Sequence, residues 1–226
     1  MIRHRLIPRL IPSLIPRLIP SLIPLLAALV LGLAPDAWAG APTDQLRTYT
    51  DQVLKILKNP TMTLTERREA VRHLAEEVFD VAETARRALG QHWQQRTPAE
   101  REEFVRLFAN LLEQTYIARI DEFGGEKLTY VSEQIDGDRA TVRARITTRN
   151  GTEVPVESRL LLRETRWLIY DILVENLSLI SNYRSQFDRV IRTTSYDELL
   201  KRLKTKGEFL NEKATRQPRR GDQSTR

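Results

Sequence analysis

The chain has 226 residues, with 36 Lys and Arg against 30 Asp and Glu, a formal net charge of +6 and no cysteine. The missing thiols exclude disulfides, cysteine-based metal sites and thiol nucleophiles. The positive excess is too small to argue for nucleic acid by itself.

Residues 1–39 read as an export leader. Arginines at 3, 5, 9 and 17 give a basic start, "LLAALVLGLA" (25–34) an apolar core, and "AWA" (37–39) a small-x-small cleavage site. The apolar core is too short to span a bilayer comfortably. Cleavage is expected after Ala39, because a later cut would leave Pro42 first. Between start and core, residues 5–24 repeat Leu-Ile-Pro every four residues. Proline at that spacing removes backbone donors and prevents a regular helix, so this stretch is read as an extension of the leader and not as fold. Loss of the leader removes four Arg and one Asp, leaving a formal charge of +3. The leader implies export. The remaining chain is long enough for one domain with a core of its own, over residues 40–206.

Helical periodicity opens that domain. Leu46, Tyr49, Val53 and Ile56 or Leu57 share a stripe that Pro60 ends. Thr63 and Glu66 form a capping box before a helix whose apolar face carries Val71, Leu74, Val78 and Phe79. Asp80 and Glu83 repeat the cap for a short helix ending at Gly90. "TPAE" (97–100) supplies a Thr cap, a Pro at the first position and a Glu three residues on. The long helix it opens carries Phe104, Phe108, Leu111, Tyr116 and Ile120, and Gly124 and Gly125 end it.

The period then switches to two. "TYVSEQI", "RATVRARITT", "EVPVESRLLLR" and "WLIYDILVE" read as four strands joined by short turns, "DGD" and "NG" among them. Short turns between successive strands make an antiparallel meander. From Leu177 the period is helical again, "SYDELLKRLK" adds a last helix, and the polar, basic tail from Gly207 is expected to lack stable structure at its end. The fold class is α+β: a four-stranded curved antiparallel sheet wrapped by helices on either side in sequence. In the fourth strand, unbroken alternation puts Leu168, Tyr170, Ile172 and Val174 on one face and Trp167, Ile169 and Leu173 on the other. Both rows are apolar. Either a second group of helices covers the second row, or part of the interior is completed by an apolar ligand.

Two motifs resemble a known family. "ALGQHWQQRTPAEREEFVRLFANLLEQTY" (88–116) is similar to Leu-Gly-x-x-Trp followed by a Thr-x-x-x-Arg-x-x-Phe helix that ends in Tyr. "WLIYDILVENLSLISNYRSQF" (167–187) is similar to Trp-x-x-Tyr-Asp-x-x-x-Glu-Gly-x-Ser followed by a helix with Arg and Phe near its end. Both patterns belong to the MlaC/toluene-tolerance family of periplasmic phospholipid-binding proteins, and the resemblance runs from about Asp44 to Lys204. One position departs: Asn176 stands where the family commonly has Gly, and Asn is the next best residue for a positive φ.

The resemblance implies an NTF2/cystatin-like fold whose pocket, between sheet and helices, takes phospholipid acyl tails and leaves the headgroup in solvent. It implies a carrier that shuttles lipid between an inner-membrane ABC transporter complex, with its substrate-binding membrane protein, and an outer-membrane lipoprotein–porin complex, maintaining outer-membrane lipid asymmetry. No catalytic group, metal or cofactor is implied beyond the bound phospholipid, and the protein is taken to be a monomer. Inward rows and family pocket elements together nominate Tyr116, Val142, Ile146, Val156, Leu160, Tyr170, Ile172 and Val174 as lipid-lining. Arg143 and Arg145, on the opposite row of their strand, are nominated for headgroup or partner contact. Two rival readings stand beside this one. An enzyme would use an Asp171–His92 dyad, against a structural Asp171 bonded to an Arg or to backbone at the following turn. A periplasmic adaptor or chaperone would expose an apolar groove to solvent.

Overall fold

The computed structural model describes residues 41–215, apart from the side chains of 41, 119, 121 and 206–215. The leader, its cleavage after Ala39 and the end of the basic tail lie outside these residues.

The helices start where the caps put them. Helix α1 spans Ala41–Leu57. Helix α2 spans Leu64–Val78. Its capping box is formed: the Glu66 N–H donates to Thr63 Oγ1 at 3.3 Å, and the Thr63 N–H donates to Glu66 Oε2 at 2.7 Å. Helix α3 (Val81–Leu89) is capped by Asp80, whose Oδ1 accepts from the Glu83 N–H at 2.9 Å. A 3₁₀ segment, Gly90–Gln95, leads to α4 (Pro98–Tyr116), opened by a second capping box between Thr97 and Glu100. Past Tyr116 the long helix tightens into a 3₁₀ turn, Ile117–Glu122, a common way to satisfy the last carbonyls of a helix.

Strands β1 (Lys127–Asp136), β2 (Arg139–Thr147), β3 (Glu153–Arg163) and β4 (Arg166–Val174) form the expected antiparallel meander. The sheet has five strands, not four, in the order β1-β2-β3-β4-β5. The fifth, β5 (Leu177–Ser178), pairs back onto Leu173 and Val174. Its hairpin turns through Glu175 and Asn176, at φ 51° and 65°. Positive φ at both central residues is what a two-residue type I′ turn needs, and Asn adopts it with little strain. Helix α5 (Leu179–Thr193) and helix α6 (Tyr196–Thr215) complete the described residues, α6 running past the Gly207 at which the sequence reading ends the domain.

A bulge in β4 corrects the face assignment made from alternation. Arg159 pairs with Asp171, but the next β3 residue, Leu160, pairs with Ile169. Tyr170 is the extra residue, and one extra residue exchanges the faces of everything on the far side of it. Trp167 and Ile169 therefore share the inner face with Ile172 and Val174, while Leu168 joins Asp171 and Leu173 on the outer face. Trp167 and Ile169 pack in a cluster with Leu46, Val78, Ala140, Val142 and Leu160 under α1 and α2. Outer-face Asp171 and Leu173 are buried, and α3 and α5 pack on that side of β4. Both rows of β4 are covered by protein, though one of them incompletely.

A separate core lies among the helices. Phe104 stacks on Phe108 with ring centroids 5.9 Å apart, and Phe187 meets both edge-on at 5.7 and 5.4 Å. Gly90, at φ 58°, lies under the Arg184 side chain, whose Cδ would be 2.9 Å from any Cβ placed there. Both the backbone conformation and that close approach call for glycine.

Candidate functional site

Three apolar clusters surround the inner face of the sheet: one under α1, one at the Tyr116 end, and one where α1 and α2 meet Ile117 and Ile120. They do not fill the space between them. A first chamber, about 610 Å³ with its opening included, lies between the sheet and α1–α2. The sheet contributes Leu128, Ile146, Val156 and Ile172; α2 contributes Val71, Leu74, Ala75 and Val78. Tyr49 and Val53 of α1 close it, and Ser158 and Tyr49 are the lining residues that carry a polar group.

A second chamber, about 830 Å³ counted the same way, lies between α2, the start of α3, and α4. Its walls are Phe79, Val81, Ala109, Leu112, Tyr116 and Ile117, with Ile172 and Leu179 behind. The chambers share three residues, Ala75, Phe79 and Ile172, which form the wall between them. Phe79 is fixed there by main chain: it bridges to Ile169 at the β4 edge, and the following Asp80 N–H donates to Ile169 O at 2.9 Å.

The second chamber differs from the first in carrying charge. Arg72, Glu76 and Glu113 are among its lining residues. Their side chains are 34 %, 61 % and 40 % exposed, which marks them as the mouth. Arg72 on α2 is ion-paired with Glu69 and reaches toward Glu113 on α4 at 4.0 Å. Deeper in, Tyr116 hydrogen-bonds Tyr183, and burial pushes both phenols well above the usual tyrosine range. Burial thus favours the neutral form of both phenols.

The structure sorts the nominated residues. Ile146, Val156 and Ile172 line the first chamber, and Tyr116 and Ile172 the second. Val142 and Leu160 are fully buried in the filled cluster under α1, and Val174 lies in the cluster beside Tyr116. Tyr170, the bulge residue, lines neither chamber. Its ring lies 3.9 Å below the Arg87 guanidinium, and its carbonyl accepts from Thr84 Oγ1 at 3.3 Å. Arg143 and Arg145 are exposed on the outer face, 3.1 Å from Glu157 and 3.8 Å from Glu153. Apart from Tyr116, the α2 and α4 walls escape nomination; on α2, Val71, Leu74, Ala75 and Val78 repeat at i, i+3, i+4 and i+7 like any core-facing stripe. The small Ala75, with large residues on either side of it, is the one local sign of space.

The Asp171–His92 dyad is not formed. Asp171 accepts from Ser178 Oγ at 2.7 Å and from the Ile180 N–H at 3.2 Å, with Arg159 at 3.9 Å. His92 Nε2 is bonded to Asp188 Oδ1 at 2.8 Å. The His92 and Gln91 donors hold the Asp188 carboxyl below the usual carboxylate range. Each member of the supposed dyad is engaged elsewhere, and Asp171 has the structural role of clamping the start of α5. Among the described residues, the large apolar side chains left exposed are Leu64, Val131, Ile135 and Leu177, spread over α2, β1 and β5.

The fold and the site define a class: an α+β protein with an antiparallel sheet, helices on both sides, and unfilled apolar chambers between them. The family model described as MlaC protein matches residues 47–205, and the chain belongs to that family. A solved structure of a phospholipid-binding protein from Ralstonia solanacearum, in complex with a phospholipid, has the same fold. It is 24 % identical, superposes with a TM-score of 0.67, and the match covers 76 % of this chain and 99 % of that one.

Proposed function

We propose that the protein is a phospholipid carrier whose two chambers each take acyl chain, with the headgroup at the charged mouth. The observation that carries this is the pair of adjacent aliphatic chambers divided by Ala75, Phe79 and Ile172. Membership of the MlaC family and the phospholipid held by the Ralstonia solanacearum protein support it. Burying an acyl methylene is worth roughly 0.8 kcal/mol, so a sixteen-carbon tail contributes on the order of 10 kcal/mol gross. Apolar lining alone can hold a lipid, and no catalytic group is needed. In this reading the exported protein works in the periplasm as a monomer. It ferries lipid between an inner-membrane ABC transporter complex and an outer-membrane lipoprotein–porin complex, and so maintains outer-membrane lipid asymmetry. Release needs a partner that stabilises an open state or competes for the tails.

Native mass spectrometry of the full chain, expressed with its own leader and purified without detergent, tests the reading. Stoichiometric phospholipid in an organic extract is expected. A lipid-free mass that persists after incubation with liposomes would show the chambers to be packing defects and sink the proposal.

A further inference from the structure

The two chambers differ in their openings. The first is lined by no charged side chain, whereas the second has Arg72, Glu76 and Glu113 at its mouth. The pattern is one cation among carboxylates. Arg72 is ion-paired with Glu69, and Glu113 lies 4.0 Å from it on the facing helix. His73, on the same turn, lies 3.4 Å from Glu69 and 3.6 Å from Glu76. The Arg72 side chain is 34 % exposed and its Nη1 lies 4.0 Å from Glu113, too far for a hydrogen bond, so the guanidinium retains donors for a further acceptor.

We propose that this rim is a headgroup selector: Arg72 takes the phosphodiester, Glu76 and Glu113 take an ammonium, and the site prefers zwitterionic phospholipids bearing a primary amine over anionic ones. The proposal rests on the second chamber holding acyl chain, as above. A zwitterionic headgroup carries both charges the rim complements. An anionic glycerol headgroup offers the phosphate to Arg72 but brings no cation to the carboxylates, which then oppose it. A primary ammonium also donates charge-assisted hydrogen bonds that a quaternary one cannot. The order expected is phosphatidylethanolamine, then phosphatidylcholine, then phosphatidylglycerol. Because the rim is solvent-exposed, the discrimination is modest, about fivefold between the first and the last, and shrinks as salt is raised.

The test is competitive loading. The full chain is equilibrated with vesicles of equimolar phosphatidylethanolamine and phosphatidylglycerol with matched acyl chains, separated, and its lipid extracted and quantified. The readout is the ratio bound, not the amount. Wild type is expected to be enriched about fivefold in phosphatidylethanolamine, and Glu76→Gln/Glu113→Gln to fall toward the vesicle ratio. A wild-type ratio equal to that of the vesicles overturns the selector and leaves the carrier reading intact, as does enrichment that survives the double substitution. Wild type that takes up neither lipid overturns both.

Discussion

Asp171 shows how a single residue is assigned by its partners. It lies in mid-strand between Tyr170 and Ile172 and is 6 % exposed. A buried carboxylate must be compensated, and here the compensation comes from the end of a helix. Its two oxygens accept from Ser178 Oγ and the Ile180 N–H, while Ser178 Oγ itself accepts from the Ser181 N–H at 2.9 Å. Asp171→Ala is expected to destabilise the fold by about 2 kcal/mol, the sum of a lost cap and a buried donor left unpaired. Urea denaturation measures it, and a loss under about 0.5 kcal/mol would show that Ser178 caps α5 unaided. The sequence offered the clamp and the dyad as alternatives. Only the pairing of His92 with Asp188, nearly a hundred positions along the chain, separates them.

Among the elements, the caps were legible and the bulges were not. Thr63 with Glu66, and Thr97 with Glu100, lie three residues apart, so local sequence carries the whole signal. The bulge at Tyr170 is set by β3, a different segment, whose register decides which residue is left over. The same holds in β1, where the register with β2 shifts between Tyr130 and Ser132. Alternation read from one strand assumes an unbroken register, and the placement of Tyr170 with Ile172 failed for that reason. After the bulge, the positive φ at Asn176 was legible through the family's Gly at that position, but the hairpin and the two-residue β5 were not, because so short a strand has no periodicity of its own. Asn176→Ala is expected to cost about 1 kcal/mol and Asn176→Gly to be neutral within about 0.5 kcal/mol, since only the alanine meets the left-handed penalty. Thermal melts of the three proteins would show it, and an alanine variant as stable as wild type would mean the turn relaxes to another form.

For the whole molecule, the motifs that mark the family mostly build its scaffold. Gly90, Phe104, Arg184 and Phe187 lie in or beside the helical core and line neither chamber; Tyr116 is the exception. A scaffold has a sequence pattern because specific side chains touch. A chamber is defined by what is missing, and aliphatic residues facing space look the same in sequence as aliphatic residues facing each other. The charged features also separate at this scale. Arg143 and Arg145 lie on the outer face of the sheet, whereas the chambers lie against its inner face. If that outer face docks a membrane partner, reversing both charges is expected to slow lipid transfer between membranes while the protein keeps its bound lipid. Transfer at the wild-type rate, or loss of the lipid, would remove Arg143 and Arg145 from the docking surface.

The partition between the chambers has a mechanical consequence. Ile172 belongs to β4, Ala75 to α2, and Phe79 caps α2 while bridging to Ile169, so the divider joins a helix to the sheet. The C-terminal end of α2 is therefore tied to β4, and that helix moves away from the sheet only if the divider comes apart. The interior then behaves as two narrow sleeves with a fixed common seam, not as one bag that swells. Slender, flexible chains can thread such sleeves one at a time. A rigid fused-ring molecule that had to lie across both sleeves would displace Phe79 and break the main-chain bond from Asp80 to Ile169, so stiffness and not polarity would exclude it.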